Sequence, residues 1–332
     1  AIVILSLFLT SCSFNKQDPN LITLSYAETD KPNTIFPHDV SKWSESQISA
    51  QIHGNLVSVN PETGAPQPAI ARDWMANSDN SRFVMYLRDD IYFHKDPIFG
   101  KSKTRLVNAL DIVTSIKYYV WNCKNRQKKP EYLSDITGIE KFYDACTPTE
   151  MPQMPIEGIF FSDDFTLVFN LYSSSPTFLY ELAAVGMAIM PHEALNNYKS
   201  SNLIGCGPYM IKKEMMREEC WTLEKNPDYS IDTLHKPQID NIKIYFNVST
   251  DKELQMFSEG NLDLTFNVSQ ELVSRFMESN VEGFEKPQPD FLIIQRKGLE
   301  DSKFFTMQIS KIEGLTFDYF GIVRFNTLKM KK

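Results

Sequence analysis

The sequence has no apolar run of the roughly 18 residues that a membrane-spanning helix needs, which excludes a polytopic membrane protein. It has too little cysteine, five in 332 residues, for a disulfide scaffold. It has no excess of positive charge. Its 34 Lys and Arg against 42 Asp and Glu give a formal net charge of −8, which argues against the basic stripe of a nucleic-acid binder. Catalytic signatures are missing too: there is no G-x-S-x-G elbow, no H-E-x-x-H, no G-x-x-x-x-G-K-[ST] and no C-x-x-C. His192-Glu193 begins like a zinc-binding pair, but Asn196 stands where the second histidine would be. Gly205-Cys206-Gly207 begins like a dinucleotide loop, but Pro208 follows and the third glycine is absent. The five histidines, His38, His53, His94, His192 and His235, are scattered along the chain. No cofactor, metal ligand or catalytic residue is therefore assigned. What is present suits a folded globular chain: 42% apolar and 23% charged residues, at a length of roughly two domains.

The N-terminus speaks for the compartment. Ala1 to Thr10 reads AIVILSLFLT, an uncharged apolar run too short to span a bilayer, as in the hydrophobic region of a signal peptide. The true start is expected a few residues upstream. Leu9-Thr10-Ser11-Cys12 resembles the bacterial lipobox, whose cysteine receives the lipid. The resemblance implies a signal peptide over 1–11, acylation of Cys12 and a lipidated tether over 12–20. The polar residues Ser13 to Asn20 would reach roughly 15 Å, and two or more acyl chains anchor stably in a lipid bilayer. Four cysteines then remain: Cys123, Cys146, Cys206 and Cys220. They can stay as separate thiols or form two disulfides. Proximity favours Cys123 with Cys146 and Cys206 with Cys220, but three pairings are open.

Several elements can be read locally. Ile22, Leu24 and Tyr26 alternate as a strand, and Ser44 to Val57 has helical character ending near Gly54. Phe83 to Arg88 and Ile91 to Phe93 are strand candidates. Asn108 is placed to cap a helix through about Trp121, with Ile112, Val113, Ile116 and Val120 on its inner face. The positive run Lys124 to Lys129 then reads as a solvated helix end. Phe165, Leu167, Phe169 and Leu171 alternate as a strand, and Ser175-Pro176 is expected to open a helix with Ser175 as its N-cap. Asn241 to Val268 reads as strand, helix and strand, a βαβ unit whose strands pair in parallel. That unit places Asn267 just past the carboxyl end of a strand, where open α/β sheets bind ligands.

Eight further segments carry a family resemblance, in order along almost the whole chain. Phe36-Pro37-His38 resembles L-D-P-H. Ser44 to Ser49 leads to His53-Gly54-Asn55-Leu56-Val57, like a Y/F-E-G-L helix end. Pro68 to Trp74 resembles P-A-L-A-x-S-W. Phe83 to Arg88 with Ile91 to His94 resembles F-x-L-R … V-x-F-H. Asn108 to Val113 resembles T-A-x-D-V-V, Gly205 to Tyr209 resembles G-T-G-P-Y, Lys225 to Tyr229 resembles R-N-P-x-Y, and Ser258 to Leu264 resembles S-G-E-I-D. Together they resemble the extracytoplasmic solute-binding proteins of peptide ABC transporters, the oligopeptide/dipeptide-binding family 5. Locally, Trp74 and Tyr229 read as core anchors, and Gly205 and Gly207 as turn glycines.

The resemblance implies an α/β, periplasmic-binding-protein-like (type II) fold. Residues 21–47 and 166–275 would form the first α/β lobe and residues 48–165 an inserted subdomain. It implies ligand contacts from Ser41, Lys42 and Trp43 in the loop after Pro37-His38, and from Phe266 and Asn267 at the strand end. The Asn267 amide offers donors and an acceptor to peptide backbone. Phe317 to Asn326 resembles the strand that leads into the second lobe. Residues 276–332 are accordingly expected to be the start of a truncated second lobe, with 290–326 lacking sheet partners. The implied function is a substrate-binding lipoprotein of a peptide ABC importer, lying outside the cytoplasm and acting by binding rather than as an enzyme. Its partners would be a peptide ligand, an ABC permease in the inner membrane and the lipid bilayer through Cys12. It would act as a monomer and bind no nucleic acid. The alternative is a truncated surface lipoprotein with an interaction role that does not transport.

Overall fold

The structure is a computed structural model and describes residues 21–196, 203–268, 291–297, 303–309, 311–317 and 322–331. The expected signal peptide, Cys12 and the tether lie outside the described residues. In chain order the strands are β1 (Thr23–Ala27), β2 (Val57–Val59), β3 (Pro66–Pro68), β4 (Ala71–Ala76), β5 (Arg82–Leu87), β6 (Ile159–Asp163), β7 (Thr166–Asn170), β8 (Tyr209–Met210), β9 (Cys220–Lys225), β10 (Asn241–Tyr245), β11 (Leu264–Val268), β12 (Phe291–Lys297), β13 (Lys303–Ile309), β14 (Ile312–Glu313) and β15 (Lys329–Met330). The α-helices are α1 (Trp43–Ile52), α2 (Ala109–Asn125), α3 (Ile139–Ala145), α4 (Phe178–Ala183), α5 (His192–Asn196) and α6 (Thr250–Ser258).

Two hydrophobic cores organise these elements. One draws on residues from Leu56 to Cys206 and lies against the antiparallel sheet β4-β5-β7-β6. Its strands meet in apolar rows such as Phe83 opposite Phe169 opposite Ile159. Phe178 of α4 closes that row, with ring centroids 4.8 Å from Phe83 and 5.2 Å from Phe169. The other core combines Leu24 to Ile52 with residues from Tyr209 to Leu328. It lies against the sheet β1-β10-β9-β8, where Leu24 sits opposite Ile242 and Ile242 opposite Leu223. The cores divide the chain near 53 and again near 206, so β7 is an interior strand of the first sheet. The division expected at 165/166 does not coincide with the one between the cores.

The local signals hold unevenly. Helix α2 starts where its cap was read: Asn108 Oδ1 accepts from the Asp111 amide at 3.3 Å, and Asp111 Oδ2 accepts from the Asn108 amide at 3.0 Å. This reciprocal box satisfies amides that a helix start leaves free. Ser175 does not cap α4. Its hydroxyl meets the Thr177 hydroxyl at 3.4 Å, and the helix begins at Phe178 with Thr177 as N-cap. Ile91 to Phe93 makes only a single bridge, between Tyr92 and Leu106.

The βαβ unit is present, but its two strands do not pair. β1 forms the parallel ladder with β10 instead. On the other side of β1, the Asp263 amide donates to the Ser25 carbonyl at 2.9 Å, so β1 lies between the two strands of the unit. Residues within 290–326 do find partners. β12 pairs with β13, and β13 pairs with β11, both antiparallel. No disulfide forms among the described residues: Cys123, Cys146, Cys206 and Cys220 are free thiols. One favoured pair, Cys206 with Cys220, is split: Cys206 is buried in the first core while Cys220 opens β9 in the other sheet. Cys146 points its thiol at the Phe142 carbonyl, 3.2 Å away.

Gly205 and Gly207 serve close approach rather than a turn. A Cβ at Gly205 would stand 2.0 Å from the Ile52 carbonyl oxygen, and one at Gly207 would stand 2.5 Å from that of Gln51. Gly64, by contrast, has φ +69° with open space around it. G205A is therefore expected to destabilise the protein by about 3 kcal/mol, since rigid backbone must move. G64A should lose only about 1 kcal/mol to its left-handed backbone. Chemical denaturation of the two variants checks this; equal losses would show that the approach is not tight.

Candidate functional site

The site is built around the N-terminal end of α1. Pro37 fixes the start of the short turn Pro37–Asp39, and the chain then runs through Ser41 and Lys42 into the helix. Glu45 organises this entrance. Its carboxylate accepts from the Asn33, Ser41 and Lys42 amides at 3.1, 2.9 and 3.1 Å, and from the Ser41 hydroxyl at 3.3 Å. Burial alone would raise its pKa, but these four donors outweigh it and hold the carboxyl below its usual range. The turn is tied to α2. Asn122 Nδ2 donates to the His38 carbonyl at 2.8 Å and to Asp39 Oδ1 at 2.7 Å, and Arg126 reaches Asp39 Oδ1 at 2.9 Å.

A groove of about 330 Å³ opens between this turn and the end of α2. Pro37, His38, Ser41 and Trp43 line one side. Tyr119, Arg126, Lys128, Lys129 and Tyr132 line the other. The segment after α2 is held there by the Tyr119 hydroxyl, which accepts from the Glu131 and Tyr132 amides at 3.0 and 3.1 Å. Buried His38 is locked in one tautomer. Its Nδ1 lies 2.7 Å from the Gly186 carbonyl, which can only accept, so Nδ1 carries the proton and Nε2 the lone pair. Burial lowers its pKa to about 4, so the ring is neutral at pH 7.

The five residues expected at the ligand are partly brought together. Trp43 packs against Phe266 with ring centroids 5.3 Å apart and ring planes tilted by 58°, although the two are far apart in sequence. Ser41 and Trp43 line the groove, whereas Lys42 and Phe266 are not among its described lining residues. Lys42 is exposed and stands 3.8 Å from Asp30. Phe266 is buried, and its amide donates to Glu253 Oε1 at 3.2 Å. Asn267 lies inside β11 rather than past its end, and its side chain is outside the described residues. The register shifts between Thr265 and Val268, so Phe266 and Asn267 sit in a β-bulge opposite β13. His38, Tyr119, Tyr132 and the lysines were not expected at the site. The run Lys124 to Lys129 was visible, but only the fold turns its far end toward Trp43.

One cluster away from the groove has the donors of a cation site. Asp111, His192 and Glu193 present ligand atoms within 4.8 Å of one another. Arg105 takes the place of the cation. Its guanidinium meets both Asp111 oxygens at 2.7 Å, Glu193 at 2.8 and 2.5 Å, and His192 Nδ1 at 3.0 Å. This pairing joins α5 to α2 through Asp111 and Arg105.

Glu253 carries a measurable consequence. Burial pushes its pKa up to about 8, against the single opposing bond from the Phe266 amide. The unfolded chain ionises this carboxyl near pH 4.5 while the folded protein keeps its proton, so stability falls as pH rises from 4.5 to 8. E253Q removes that penalty. It should be more stable than the parent by about 4 kcal/mol at pH 7.5 and nearly equal to it at pH 4.5. Thermal unfolding at the two pH values tests this, and a pH-independent difference would contradict it.

Comparison with known proteins agrees with this architecture. Residues 65–299 match the family model described as bacterial extracellular solute-binding proteins, family 5 Middle. Among solved structures, the chain is similar to the substrate-binding domain of an oligopeptide ABC transporter from Bacillus anthracis str. Ames, with 18% identity and a TM-score of 0.63 over 84% of this chain and 50% of that one. It is similar to the periplasmic binding protein DppA of Helicobacter pylori in complex with the peptide STSA, with 19% identity and a TM-score of 0.63 over 83% and 51%. It is also similar to AgaA of A. tumefacien R10 in complex with agropinic acid, with 18% identity and a TM-score of 0.63 over 83% and 48%. The chain thus spans about half the length of the solved structures it matches. With the family model covering residues 65–299 and the fold shared, the chain belongs to the bacterial extracellular solute-binding proteins, family 5.

Proposed function

We propose that this chain is the extracytoplasmic substrate-binding lipoprotein of a peptide ABC importer, which captures peptides and delivers them to a membrane permease. It acts by binding and release. The observation that carries this reading is the groove of about 330 Å³ beside the Trp43–Phe266 pair. Its volume falls within the range of small-ligand pockets, and aromatic walls with a few polar groups suit such ligands. Peptides are favoured because peptide-bound and oligopeptide-transporter structures share the fold. The lipid anchor rests on the lipobox resemblance at Cys12, and attachment at a bacterial membrane, in the periplasm or at the cell surface, follows from it. Among the described residues no helix is long and apolar enough to cross a membrane.

Titration with a library of short peptides should give saturable binding and a thermal shift. W43A should weaken it on the order of tenfold, as removal of a central aromatic contact does. No binding across a diverse library would overturn the reading. In cells, C12S should release the protein from the membrane fraction, and unchanged retention would rule out the anchor.

A further inference from the structure

Only one face of the sheet β4-β5-β7-β6 belongs to the first core. That face carries Phe83, Met85, Leu167 and Phe169. The residues alternating with them point to the opposite face, and the strand register aligns them in rows. The middle row is apolar from edge to edge: Met75 opposite Val84, Val84 opposite Val168, and Val168 opposite Phe160. None of these four is a member of either core. Met75 is 55% exposed and Phe160 44%. The outward side of an antiparallel sheet is ordinarily polar. An apolar row across all four strands instead marks a contact surface. The rows on its two sides differ in charge. One carries exposed Arg82, which donates to Asn170 Oδ1 at 3.2 Å and lies over the Phe160 ring, 5.8 Å from its centroid. The other carries exposed Asp73 opposite Tyr86 and exposed Asp163 opposite Thr166, with Arg72 6.0 Å from the Tyr86 centroid. Within the rows, the first side is positive by one and the second negative by one. Asp79 and Asp164 lie beyond them, in the hairpin turns. Among the described residues, none of Arg82, Asp73 and Asp163 has an ion-pair partner.

We propose that this face docks a second copy of the chain, two sheets packing face to face about a two-fold axis that runs along the apolar row. Such an axis lays the row on its counterpart and turns the Arg82 side of each sheet over the Asp73–Asp163 side of the other. An axis along the strands would instead set Arg82 over Arg82. Charge therefore selects the first arrangement, and two-fold symmetry makes each attraction twice. Sheets with their strands aligned in this way interdigitate at about 10 Å. Four strands of this length offer a face of about 19 by 17 Å. Two such faces bury on the order of 1,000 Å², the lower limit for a specific interface. Association is accordingly weak and reversible, in the micromolar range, so a dilute solution holds single chains. The contact is independent of what the groove binds. No local pattern announces it, because its four apolar residues come from four different strands.

Analytical ultracentrifugation of the full chain, from well below to well above about 10 μM, reads the association. The mass should move from one chain toward two as concentration rises. M75K/F160K changes two exposed positions and buries unpaired charge at the centre of the contact. It should weaken association at least about tenfold, while thermal unfolding of the dilute protein stays near that of the parent. A charge swap tests the geometry separately. R82D and D73R should each weaken association, and R82D/D73R should recover it, since the exchanged pair meets again only across the proposed axis. A single chain at every concentration overturns the proposal. So does association that M75K/F160K leaves unchanged, which would put the contact elsewhere, and so does a double swap no better than the single ones. Peptide titration in the groove is read independently, and its outcome decides nothing about this face.

Discussion

The backbone contact between Gly205–Gly207 and the end of α1 is the constraint on which the rest of the structure depends. The Gly207 amide donates to the Ile52 carbonyl at 2.8 Å, satisfying one of the acceptors a helix end leaves free. On its other side the same segment meets His94, whose amide donates to the Gly205 carbonyl at 2.7 Å and whose Nε2 lies 3.1 Å from the Gly207 carbonyl. Helix α1 belongs to one core and His94 to the region of the other. A three-residue ribbon without side-chain bulk at its two ends is thus the seam where both cores meet. Burial lowers the His94 pKa to about 4, which keeps the ring a neutral hydrogen-bonding spacer at neutral pH.

Helix α1 carries that constraint outward. Its C-terminal end is fixed at the seam, and its N-terminal end, tied down by Glu45, presents Trp43 to the groove. Between them, Gln47 and Gln51 are buried and bonded to one residue's backbone. The Val323 amide donates to Gln47 Oε1 at 2.8 Å, and Gln51 Nε2 donates to the Val323 carbonyl at 2.9 Å. These amides hold the segment around Val323 against helix α1. Its neighbour Ile322 lines the groove. Buried amides of this kind are tolerated because each polar atom finds a backbone partner.

Two kinds of carboxyl environment do different work. Arg105 with Asp111 and Glu193 is a fully matched cluster, so its desolvation is offset by several short bonds. Glu253 has a single amide donor, so it keeps its proton. The first joins helices within one core. The second lies under Phe266, directly behind the aromatic pair at the site.

Much of this was legible in the sequence, and the limits have physical causes. The alternation Leu24/Tyr26, the Asn108–Asp111 box and the strand–helix–strand of 241–268 are local patterns, and each forms because its own side chains decide it. The eight ordered motifs placed the family, since they record the whole fold at once. Tertiary structure alone decided what lies far apart in sequence. It set β1 between β10 and β11, left the four described cysteines as free thiols, moved β7 into the first sheet and gave Gly205 and Gly207 a packing role instead of a turn. At the site, Ser41 and Trp43 were read from a motif. His38, Tyr119 and the lysines became part of it only when α2 folded across the 37–43 segment. A solvated run and a binding wall have the same residues; only the neighbours supplied by long-range packing distinguish them.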